Sequence, residues 1–76
     1  MNDVTQLILP EIREMAGARD ATGLREGLAE VHPADIADLI ANLEDDQAAL
    51  TLEVLPEKQR VMTFEHLEEE DQARLV

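Results

Sequence analysis

Two clusters of carboxylates are the residues of this 76-residue chain best suited to chemistry: Glu44, Asp45 and Asp46, and, two dozen positions on, Glu68, Glu69, Glu70 and Asp71. Their oxygens are hard ligands for hard cations. Mg2+ typically takes one or two carboxylates and keeps several waters, whereas Ca2+ takes about six to eight oxygens from a preformed loop. The pattern D-x-[DN]-x-[DN]-G is absent, which excludes an EF-hand type of Ca2+ site. The same acids also have a plain structural use, because negative side chains in the first turn of a helix are favoured by the macrodipole without any ligand. Spacing alone therefore assigns no metal ligand, and the ligand set stays unknown.

Other chemistry is poorly supplied. The chain has no Ser and no Cys, its Thr residues are Thr5, Thr22, Thr51 and Thr63, and its two histidines, His32 and His66, are far apart in sequence, so no nucleophile and base pair stands out. His66 is followed by Leu67, Glu68, Glu69 and Glu70, which is not the HExxH of a zinc hydrolase. Gly17, Gly23 and Gly27 match neither the dinucleotide nor the Walker phosphate loop. No catalytic and no cofactor-binding residue is expected, and the chain reads as a non-enzyme. His32, directly before Pro33, reads as an N-cap or turn residue.

Charge narrows the partners. Eighteen Asp and Glu face six Lys and Arg, a formal net charge of -12, and residues 32–76 hold twelve of the acids against three bases. Phosphate backbones and anionic lipid would be repelled, so neither nucleic acid nor direct membrane contact is expected; cations and basic surfaces remain. No apolar run approaches the roughly 20 residues of a membrane span. With Phe64 the sole aromatic, the core must be built of Leu, Ile, Val, Met and Ala, and the lack of Cys fits a reduced, cytosolic setting.

The elements that would position these acids follow from a twelve-residue period. HPADIADLIANL, EDDQAALTLEVL and PEKQRVMTFEHL succeed one another from His32, and a fourth unit, EEEDQARLV, breaks off at Val76. Leu43, Leu55 and Leu67 close the units; Ile40, Leu52, Phe64 and Val76 precede the closures by three, and Ala37, Ala49, Val61 and Ala73 stand three places earlier again. Each unit reads as one short helix and a turn, led by proline or acid, with an apolar face that must be covered by its neighbours. Before the repeats, a first helix or arm occupies residues 1–19. Asn2 or Asp3 is a candidate cap, but Pro10 favours a loose arm over residues 2–9 and a helix from Pro10 to a stop at Gly17. Asp20 caps a second helix, 20–31, ended by Pro33, and the repeats fill 32–76. The whole is expected to be one all-α domain.

The string LAEVHPADIADLIANL, followed by acidic or proline-led units ending in Leu, resembles the intracellular N-terminal domain of the MgtE family of magnesium transporters. HPADIADL is the most specific piece, LREGLAEV after Asp20 fits as well, and the likeness covers roughly residues 10–76. The resemblance implies a right-handed superhelical array of short helices, α-solenoid-like. It also implies a cytoplasmic regulatory segment of an inner (plasma) membrane protein, homodimeric when intact, with CBS domains and a transmembrane pore on the same polypeptide. Mg2+ between this domain and the CBS pair would favour the closed pore. Acids that ligate the ion in that family are expected mostly beyond Val76, and where one aligns within the repeats this chain has Met62. The alternative is a free-standing helical-repeat adaptor, for which the apolar faces would serve a protein partner.

Overall fold

The computed structural model of the protein describes residues 3–76. It contains six helices: α1 Asp3–Gly17, α2 Ala21–Leu28, α3 Pro33–Ala41, α4 Asp45–Val54, α5 Glu57–His66 and α6 Glu69–Arg74. Their starts follow from short polar side chains and prolines. Asp20 Oδ1 accepts from the Gly23 amide at 2.9 Å, and His32 Nδ1 accepts from the Ala34 amide at 3.0 Å, with Pro33 behind it at the first helical position. Gln47 reaches back to the Glu44 amide of α4, and Pro56, which lacks an N–H to waste, precedes α5.

α1 ends at Gly17, as expected, but the residue that closes it is not the glycine. Gly17 is still helical, and Arg19 adopts φ 59°, the left-handed conformation that closes a helix, while the Asp20 amide bonds back to Met15 O at 2.9 Å. The loose arm expected before Pro10 is likewise replaced by helix from Asp3 onward; Asn2 lies outside the described residues. Burial explains why. Thr5 and Ile12 are buried and Ile8 and Leu9 pack on the core, so this segment is held by its inner face. Gln6 and Pro10 are both exposed, so the hydrogen bond that Pro10 cannot make falls on the outer side of the helix.

The superhelical, solenoid-like array is not what forms. The molecule measures 25 × 25 × 22 Å with a radius of gyration of 10.8 Å, a compact all-α bundle of six helices. An elongated array requires each unit to touch only its neighbours. Here α1 packs on α2, α3 and α4 together, and α2 on α4 and α3 on α5 close the remaining sides. Helices this short, about 9 to 15 Å over 6 to 10 residues for α2 to α6, stack no taller than they are wide.

The buried register also differs from the expected one. Leu43, Leu55 and Leu67 are buried as the period requires, but of the positions Ala37, Ala49, Val61 and Ala73 only Ala37 is inside. Steps of three drift off a helix face, because three residues fall short of the 3.6 of a full turn. The face that holds is i, i+3, i+4, i+7: Ile36, Leu39 and Ile40 of α3 with Leu43 just past its end, then Ala48, Thr51, Leu52 and Leu55. That register begins before His32. Ile12, Leu24, Ile36 and Ala48 stand twelve apart and are all buried, as are Ala16, Leu28 and Ile40.

Candidate functional site

The basic residues explain where the negative surface comes from. Helix C-termini leave carbonyls without partners, and cations are favoured there. Neither α3 nor α4 has a basic residue in its own last turn; other helices supply one. Arg13 of α1 donates to Asn42 O at 3.2 Å, and Arg25, twelve residues on, donates to Val54 O at 3.0 Å. Arg60 reaches Glu53 O and Leu55 O at the end of α4, and Arg74 reaches Ile40 O and Leu43 O at the end of α3. Glutamines serve the remaining ends: Gln59 bonds Leu28 O and Val31 O, and Gln72 bonds Phe64 O. Only Arg19 and Lys58 have no bonded side-chain partner among the described residues.

Four of six cations are thus spent on backbone carbonyls. Most carboxylates, in contrast, line the outside. The two acidic clusters singled out in the sequence do meet, through a cation already in the chain. Arg74 Nη1 lies 2.6 Å from Asp45 Oδ1 and its Nε 2.9 Å from Asp71 Oδ1, so one guanidinium bridges the corresponding turns at the starts of α4 and α6. The hydrogen bond to Asp45 raises the Arg74 pKa above its ordinary value, burial opposes it, and the bond and charge of Asp71 add to the rise. Asp46, itself exposed, accepts from the Gln47 amide of its own helix at 2.9 Å. Glu44, Glu68, Glu69 and Glu70 are exposed.

A recess of about 320 Å3 lies between α3 and the start of α6, lined by Asp38, His66, Glu68, Glu70 and Asp71. It is the nearest thing to a cation cradle. No group of three or more His, Asp or Glu among the described residues could hold a metal ion, however. Since Asp45 and Asp71 already hold Arg74, these residues do not fit a self-contained Mg2+ centre. His32 takes the capping role expected of it. Its ring centroid stands 5.9 Å from that of His66, an approach that a separation of 34 positions hides in the sequence.

The bundle is poor in cations, acid-faced and built on twelve-residue units. The family model of the MgtE intracellular N domain matches residues 31–76, more than half of the chain. The chain belongs to this family. No curated protein and no solved structure matches it. Domains of the MgtE N family are non-catalytic regulatory modules of magnesium transporters, which agrees with the lack of any nucleophile and base pair in the sequence. In full-length proteins they occur together with CBS and transmembrane domains. No helix among the described residues of this MgtE N domain is long and apolar enough to cross a membrane.

What sequence reasoning missed in the MgtE N domain is the part played by its arginines. They read as a scattered minority on an acidic chain, yet Arg13 and Arg25 obey the same period as the core, and their acceptors, Asn42 and Val54, are also twelve apart. That shared spacing is the signal that could have found them.

Proposed function

We propose that this MgtE N domain is a cytoplasmic regulatory segment that senses Mg2+ by docking on the CBS domains of its own transporter, the docked state favouring a closed pore. Family membership supports a regulatory module, and one structural observation supports the mechanism: four of the six cations of the chain are turned onto helix C-termini, leaving an outer surface dominated by carboxylates. Two acidic surfaces repel at low ionic strength, and divalent cations between them reverse the sign of that interaction. A ligand shifts such an equilibrium only by its differential affinity for the docked and free states. Mg2+ meets that condition where a carboxylate of this domain and one of the partner share its hydration shell, since the ion needs only one or two of each.

No Mg2+ ligand is assigned within the chain. Met62, which stands where the resemblance places a ligating acid, has a thioether side chain that hard cations do not take. The test is binding of this domain to the CBS pair of its transporter, measured by calorimetry in Mg2+ and in chelator at constant ionic strength. Association that requires Mg2+ is the expected result. Equal binding in chelator, or none in millimolar Mg2+, would refute the mechanism.

A further inference from the structure

The arginines that close helix ends follow a series with a gap in it. Arg13 of α1 donates to Asn42 O at the end of α3, and Arg25 of α2 donates to Val54 O at the end of α4, each across 29 positions. Donor and acceptor lie two helices apart in both pairs, and the pairs are related by the twelve-residue period. The next pair in that series is residue 37 of α3 with His66, the last residue of α5. α3 does pack on α5, but residue 37 is Ala, so α3 sends no guanidinium to this helix end. A second donor changes by the same period. Arg60 serves Glu53 O and Leu55 O at the end of α4, and twelve residues on stands Gln72, whose neutral amide serves Phe64 O at 2.8 Å. The end of α3 thus holds Arg13 and Arg74 and the end of α4 holds Arg25 and Arg60, whereas no arginine reaches the end of α5 among the described residues.

Where the series calls for the next arginine, the surface is concave. The recess of about 320 Å3 has Ala37 and Ala41 on its α3 wall and His66 and Leu67 at the end of α5. Of the carboxylates on its rim, Asp71 is engaged by Arg74, while Asp38, Glu68 and Glu70 take part in no ion pair among the described residues. We propose that this recess is an arginine seat filled from outside, taking the guanidinium of an arginine presented by another polypeptide in place of the one that Ala37 does not supply. The carbonyls of a helix C-terminus favour a cation. A planar fork of N–H donors spans carbonyls and carboxylates together, as Arg74 does at the end of α3, and a compact ammonium does not. The methyl groups of Ala37 and Ala41 leave room for the alkyl stem and cover it. The seat is a property of this chain alone and depends neither on Mg2+ nor on the CBS domains.

Nα-acetyl-arginine methylamide is the probe, titrated into the isotope-labelled 76-residue chain at constant ionic strength and followed by NMR, with Nα-acetyl-lysine methylamide as control. Shifts confined to residues 37–42 and 66–71, saturating with a midpoint of about 1–10 mM, are expected, and the lysine compound should bind at least about threefold more weakly. Ala37→Arg supplies the guanidinium from within and should weaken binding of the probe at least about fivefold. Ala37 is only 5% exposed, so Ala41→Arg, at an exposed position of the same wall, decides the matter if the first variant does not fold, and should weaken binding as much. Shifts spread over the acidic surface without saturation, lysine binding equal to arginine, or undiminished binding by a folded variant would each overturn the proposal.

Discussion

Replacing Arg74 by Ala should remove the strongest single tie in the bundle. The guanidinium touches four acceptors: Asp45 Oδ1 at 2.6 Å, Asp71 Oδ1 at 2.9 Å, Ile40 O at 2.9 Å and Leu43 O at 3.2 Å. These are unequal. Asp45 is 80% exposed, so that ion pair contributes about 0–1 kcal/mol after solvent screening. Asp71 is only 14% exposed and would lose its cation, and two carbonyls at the end of α3 would lose their donor; charged hydrogen bonds of this kind are each worth about 1.5–3 kcal/mol and do not add fully. A net loss of about 2–3 kcal/mol is expected for Arg74→Ala, a large share of the roughly 4–11 kcal/mol available to a chain of this size. It would lower Tm by about 10–20 °C. Arg74→Lys keeps the charge but cannot span both carbonyls and both carboxylates, and should lose about half as much. Urea unfolding followed by circular dichroism, at low salt and at about 1 M salt where the Debye length is near 3 Å, separates the contributions. The carbonyl and Asp71 contributions should survive salt. An Arg74→Ala variant within about 0.5 kcal/mol of the wild type, or a loss that disappears entirely at 1 M salt, would refute the assignment of Arg74 as an internal tie.

Four further outcomes are expected. Gly27→Ala places its Cβ 3.4 Å from Met15 Cε and should stabilise by about 0.5–1 kcal/mol in denaturant unfolding; Gly23→Ala drives its Cβ into the Asp20 carboxylate, 2.8 Å from Met15 Sδ, and should cost about 1–2 kcal/mol by spoiling that cap. Arg19→Gly relieves the left-handed φ of 59° and should raise stability by about 1 kcal/mol, read as a higher urea midpoint at unchanged m. Thr63→Val removes a buried hydroxyl without a partner and should be neutral or stabilising by up to about 1 kcal/mol, whereas Thr51→Val gives up a 2.8 Å bond to Gln47 O and should gain less or lose. Raising NaCl from about 20 to 300 mM should raise Tm by several degrees, because the charge of -12 repels itself; a flat or falling Tm would contradict that.

The local features were legible because they are written within a few residues. Asp20, His32 with Pro33, and Pro56 announce helix starts through chemistry that acts over two to four positions, and Leu43, Leu55 and Leu67 announce burial by their period. Three things were not legible, each for a physical reason. Thr51 and Thr63 are fully buried although polar, and a reading that looks for apolar side chains passes over them in favour of Ala49 and Val61. Thr51 is admissible inside because its hydroxyl bonds back to Gln47 O within the helix. Pro10 looked like a helix start because its missing N–H is costly in the middle of a helix, but that cost falls on an exposed turn and is outweighed by the inner face of Thr5, Ile8, Leu9 and Ile12. The compact shape depends on contacts of α1 with α4 and of Arg74 with α3, pairings some 30 residues apart that a local period does not encode.

The division of labour between charges has a consequence for how such a domain can vary. Arg13, Arg25, Arg60 and Arg74 are tied to carbonyls whose positions the fold dictates, so losing any of them removes a contact that the bundle needs. Most carboxylates face solvent, and those in first turns, such as Glu57 and Glu69, gain a few tenths of a kcal/mol from the helix dipole and little else. Acids can therefore be added, moved or removed over much of the surface at small cost to folding, while the cations cannot. A surface whose negative charge is adjustable independently of the core is what a cation-dependent docking equilibrium requires, since its set point moves with each added or removed carboxylate while the bundle beneath stays the same.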